Sequence, residues 1–131
     1  MGRLNDWPER LNDVIEEWRD RPFEWGKADC VGFVLAVDAA MYGKSRLKLP
    51  RYTTKTGAAR LIKKRGGDLS VAVDKVLDRI EPLQAMRGDV AAVDTPDGPA
   101  LVIVLSGRLV GMGPDGLVFP SIDAAVAAWR L

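Results

Sequence analysis

The residue pattern predicts an α+β fold, with helices in the first part of the chain and a small antiparallel sheet after them. Two observations carry that prediction. Apolar residues recur at helical spacing from Trp7 as far as Pro82, and from Arg87 onward short β-branched runs alternate with Gly-, Pro- and Asp-rich turns. The 131 residues are 47% hydrophobic and 28% charged, with no internal repeat and no low-complexity linker. That composition predicts one domain over 1–131, large enough to bury a core without staples.

The first helix is expected over residues 7–20. Trp7, Leu11, Val14, Ile15 and Trp18 share a face, Asp6 is placed to cap the N-terminus, and Pro8 falls in the first turn. "RDRPFEWGKA" breaks it, since Pro22 and Gly26 oppose continuation, and leaves Phe23 and Trp25 as aromatic anchors in a loop. A second helix is expected from an Asp29 cap to a Gly43 stop, apolar on nearly every side except at Asp38, and therefore buried at the centre. "LKLPRYTTKT" reads as a loop, "TGAARLIKKRG" as a short helix ended by Gly66-Gly67, and "DLSVAVDKVLDRI" as another capped by Asp68.

Four strands follow at 88–94, 100–106, 108–112 and 116–119, joined by "TPDGP", "SG" and "GPDG", the turn chemistry of a meander. "SIDAAVAAW" reads as a closing helix with Ser121 at its cap.

The charge is uneven. Residues 39–67 hold nine Lys or Arg and no acid, while the parts before and after each hold nine acids against five bases, for a formal net charge of +1. Such a segment suits a polyanion or an acidic face of the same fold or of a neighbouring subunit. The second is favoured over nucleic acid, because only Tyr52 interleaves an aromatic and no nucleic-acid-binding signature is present. One cysteine excludes an intrachain disulfide, no apolar run reaches the ~18 residues of a membrane span, and "MGRLNDWPERL" is too charged for a signal peptide. The expectation is a soluble protein made in a bacterial cytoplasm. No Cys/His cluster suits zinc, the Asp-Gly turns lack the alternating carboxylates of a calcium loop, and "IKKRGGD" lacks the Walker pattern, so no metal or other cofactor is expected.

Cys30 is the one residue with nucleophile chemistry in a suggestive place. A thiol at a helix N-terminus meets unpaired N–H groups and the positive end of the helix dipole, both of which favour the thiolate. Cysteine catalysis also needs a base, normally His, and the chain contains no histidine. On position alone an ordinary core cysteine is the better reading.

The stretches "W-G-x-x-D-C-x-G-F", "R-G-D-V-A-A-V-D" and "A-L-V-I-V-L-S-G" resemble the NlpC-type cell-wall peptidases, papain-like enzymes acting on peptidoglycan. More closely, Trp18–Cys30, Tyr52–Ala58 and Gly113–Arg130 resemble a family of short phage and prophage tail proteins related to those peptidases. The resemblance implies a papain-like fold in which the buried helix opens at Cys30, the nucleophile position. Asp29 is the preceding aspartate, more plausibly a helix cap than a catalyst, Gly32 the small residue after it, and Gly88-Asp89 the opening of the first strand. It puts the base at Ala100 and the third polar position near Met112 and Gly113, none of which can take or orient a proton.

The function this implies is a structural or adaptor part of a phage tail tip or baseplate, a vestigial peptidase lodged in the virion tail beside hub, distal-tail and baseplate proteins. Phe23, Trp25, Tyr52 and Asp89 are candidates to line the old cleft or meet a partner, and the cleft is a candidate to hold peptidoglycan or a peptide. The alternative is a working cysteine peptidase or amidase whose base is Asp29, Asp89, Tyr52 or a histidine from another subunit.

Overall fold

The computed structural model describes residues 2–25, 27–49, 69–96 and 98–131. The helix expected at 56–66, the Asp68 cap and Tyr52 lie outside them. Helix α1 (Trp7–Trp18) forms as its periodicity requires, burying Leu11, Val14, Ile15 and Trp18. Asp6 stands at the cap position, but its side chain does not cap. Its carboxylate instead accepts from Arg10 Nε at 2.9 Å, and that hydrogen bond holds it below the usual carboxylate range.

Helix α2 (Cys30–Tyr42) is the central element. The Asp29 carboxylate accepts the Gly32 N–H at 2.7 Å, and Gly43 ends the helix in the left-handed conformation at φ 78°, which a glycine reaches without steric cost. Both stops agree with the sequence. Trp18 of α1 meets Phe33 of α2 edge to face, with ring centroids 5.6 Å apart. Asp38, the lone charge in the apolar run, is buried and accepts the N–H groups of Arg46 (2.8 Å) and Leu47 (3.0 Å), tying the segment after the helix back onto it.

Helix α3 (Leu69–Asp74) is shorter than expected. The chain leaves it to form strand β1 (Arg79–Ile80), because Asp74 is bridged by Arg79 through two hydrogen bonds of 2.8 Å and by the Trp129 indole N–H at 2.8 Å. Strands β2 (Val90–Thr95), β3 (Gly98–Val104), β4 (Leu109–Gly113) and β5 (Gly116–Val118) make the expected meander. The closing helix does not form. Ser121 accepts the Asp123 N–H, but only a 3₁₀ turn at Ile122–Ala124 follows, and the chain continues as strand β6 (Ala125–Trp129). Pairing with β2 on one side and β1 on the other wins over the helix propensity of alanine, because it buries Ala127, Ala128 and Trp129. The antiparallel sheet has the order β1-β6-β2-β3-β4-β5.

The sheet separates two apolar clusters. On one face Val90, Ala92, Leu101, Ile103, Val110, Ala127 and Trp129 pack with the three helices. On the other, Ala91, Val102, Val104, Leu109 and Ala128 form a smaller cluster joined by Ile80, Ala85, Val93, Ile122 and Ala125. This is the α+β architecture the sequence predicts, three described helices laid against one face of a six-stranded sheet. Among the described residues, no helix is long and apolar enough to cross a membrane.

Candidate functional site

Cys30 occupies the first turn of α2, half-buried and packed on the main core. The loop before it is fixed by its own backbone. Glu24 and Ala28 form a bridge, the Lys27 N–H donates to Glu24 O at 3.1 Å, and the Phe23 N–H donates to Pro114 O at 3.0 Å. Phe23 and Trp25 meet edge to face at 4.7 Å, both half-buried. The loop therefore joins the head of α2 to the turn between β4 and β5. This brings Cys30, Phe23 and Trp25 to the end of the sheet where the third polar position was expected. Met112 stands there with its side chain on the main core, and Gly113 pairs with Gly116.

Strand alternation moves the expected base position. Ala100 pairs with Val93, whose side chain packs on the cluster away from the helices. Leu101 packs on the helix side, and side chains alternate along a strand. At the head of β3 the face toward α2 thus belongs to Pro99 and Leu101, and Ala100 faces the other way. The chemical conclusion is unchanged, because neither Pro99 nor Leu101 can accept a proton.

Asp29 is buried and its carboxylate caps α2, a structural task. Asp89 is not beside Cys30. It is fully buried just before β2, where Oδ1 accepts the Leu131 N–H (3.0 Å) and Arg3 Nη2 (3.3 Å), while Oδ2 accepts the Met86 N–H (2.9 Å) and faces Arg130 Nη1 at 3.2 Å. The Leu131 carbonyl in turn accepts the Tyr42 hydroxyl at 2.8 Å, which puts Asp89 at the C-terminal end of α2. At ~1.5 Å per residue, that is about 18 Å along the helix from Cys30. Gly88 has φ 91°, and a Cβ there would stand 2.8 Å from Arg3 Nη1, so the Gly-Asp pair serves this staple. The sequence marks Gly88-Asp89 as a strand opening but gives no sign of Arg3, 86 residues away, as its partner.

A cleft of about 240 Å³ opens between Arg46, Leu47, Val76, Leu77, Asp78 and Arg130, and another of about 410 Å³ between Arg79, Ile80, Glu81, Pro82, Gln84, Val126 and Ala127. Cys30 lines neither. Among the described residues no group of His, Cys, Asp or Glu is placed to hold a metal ion.

The fold has the NlpC/p60 architecture. The chain belongs to the family described as Domain of unknown function (DUF6950), matched over residues 2–131. Among solved structures it is similar to RipD from Mycobacterium tuberculosis, described as a non-catalytic NlpC/p60 domain protein with an adaptation to peptidoglycan-binding function. The two share 18% identity over 98% of each chain, with a TM-score of 0.61. It is also similar to the P60 domain of the M. avium paratuberculosis antigen MAP1272c, at 19% identity over 96% of each chain and a TM-score of 0.53. No curated protein matches the chain in sequence.

Proposed function

We propose that this chain is a non-catalytic, peptidoglycan-contacting adaptor of a bacteriophage tail tip or baseplate. The observation that carries the loss of catalysis is the complete absence of histidine in a fold whose enzymes use Cys and His together. The helix-facing positions that would supply a base and its orienting group hold Pro99, Leu101 and Met112. A binding use is supported by RipD, an NlpC/p60 protein described as non-catalytic and adapted to peptidoglycan binding. The tail assignment rests on the resemblance of Trp18–Cys30, Tyr52–Ala58 and Gly113–Arg130 to short phage tail proteins. In this reading the protein is made in the host cytoplasm and resides in the virion tail, with hub, distal-tail or baseplate proteins as its neighbours. Phe23 and Trp25 are the proposed contacts at the Cys30 end.

The alternative, an active cysteine peptidase or amidase, is weakened by the engagement of Asp29 in the helix cap and of Asp89 in the distant staple. It is left with Tyr52 or a histidine supplied in trans. The test is to purify tails from a phage that encodes the chain and to probe them for it. Co-purification with the hub and baseplate proteins is expected. Its absence from complete tails would overturn the tail assignment, and failure of the isolated protein to sediment with peptidoglycan would overturn the binding role.

A further inference from the structure

The cleft at the C-terminal end of α2 has charged groups that the Cys30 site does not use. Arg46 and Arg130 both line it, and each is positioned by a buried carboxylate. Arg46 Nε lies 3.6 Å from Asp38, and its guanidinium rests 3.5 Å over the Tyr42 ring. Arg130 Nη1 lies 3.2 Å from Asp89, and the Arg130 N–H donates to the Asp78 carbonyl at 3.0 Å. A guanidinium carries five N–H donors in one plane, so each arginine keeps donors for a ligand, and its buried partner has already restricted its rotamers.

Asp78 brings the opposite charge to the same cleft, and among the described residues its carboxylate makes no hydrogen bond or ion pair. Leu47, Val76 and Leu77 supply the apolar lining. The volume, about 240 Å³, falls below the ~300–1,000 Å³ of pockets that take drug-sized molecules. A plain anion would meet Asp78, and a plain cation would meet two guanidiniums. The geometry points to a binding site for an α-amino-acid zwitterion, its carboxylate between Arg46 and Arg130, its ammonium on Asp78 and its side chain on Leu47, Val76 and Leu77. The site lies about 18 Å along α2 from Cys30, and it stands or falls independently of the peptidoglycan reading.

The test is an NMR titration of the ¹⁵N-labelled protein with alanine, acetate and ethylammonium in parallel. Saturable shifts at Leu47, Leu77, Asp78 and Arg130 are expected with alanine, at an affinity at least about threefold above that for acetate, the scale of one exposed ion pair. Asp78→Asn, an exposed substitution that keeps the backbone carbonyl bonded to Arg130, is expected to bring alanine down to the level of acetate. Absence of saturable shifts with alanine, or equal affinity for alanine and acetate in the unsubstituted protein, would overturn the assignment.

Discussion

At the head of α2 two adjacent residues carry different weight. Asp29 satisfies a helix N–H that would otherwise lack an intrahelical partner, and Asp29→Ala is expected to lower stability by about 1 kcal/mol in urea unfolding. Cys30→Ala removes a half-buried sulfur at the edge of the core, and a loss below about 1 kcal/mol is expected. The larger cost belongs to Asp89. Asp89→Ala would leave Arg3 and the N–H groups of Met86 and Leu131 without their acceptor around a buried void, and would free the half-exposed Arg130. A loss of about 3 kcal/mol or more is expected, and a loss no greater than that of Asp29→Ala would contradict the staple. The local half of this was legible. A cap is written in residues next to one another, so Asp29 could be read from Asp-Cys-Val-Gly. The staple joins residues 3, 89, 130 and 131, a proximity that only the folded chain creates.

Among the elements, periodicity found α1 and α2, and turn chemistry found the β2–β5 meander, because each of those signals acts over a few residues. It failed at residues 121–129 and 74–80, where long-range pairing decides. Ala-rich β6 is held by β1, β2 and the Asp74–Trp129 bond, and β1 by its pairing with β6, with the local Arg79–Asp74 pair beside it. The Arg79 guanidinium, assisted by the Trp129 indole, holds the Asp74 carboxyl below its ordinary value of 3.8. A carboxyl with a lowered folded pKa stabilises above its unfolded value, and that stability is lost as pH falls through the folded one. Because this pair is largely exposed, Asp74→Asn is expected to lower stability near pH 7 by at most about 1 kcal/mol. Thermal melts should show the gap closing below pH 3.8, and a gap that widens toward pH 3 would contradict the role given to Asp74. The β5 edge depends on Gly116, whose φ is 139° and whose added Cβ would collide with the Arg19 carbonyl that accepts the Leu117 N–H. Gly116→Ala is expected to cost about 1–3 kcal/mol, measured by urea denaturation, and a neutral result would mean that α1 and β5 separate easily.

Across the whole molecule, the same architecture places a cysteine at the head of a buried helix and puts Pro99 and Leu101, in a chain without histidine, where the base was expected. The α+β class was legible because helical and strand periods occupy different parts of the chain. The face on which the base position falls was not, since one residue of register turns a strand position from the helices to the opposite side, as Ala100 shows. In the proposed role the fold holds peptidoglycan without cutting it. That role is tested most directly by incubating purified cell walls with the wild type and with Cys30→Ala, following both sedimentation of the protein and release of soluble muropeptides. Equal sedimentation of the two proteins with no release is the expected result. Muropeptide release by the wild type that disappears in Cys30→Ala would contradict the account and make Cys30 a working nucleophile.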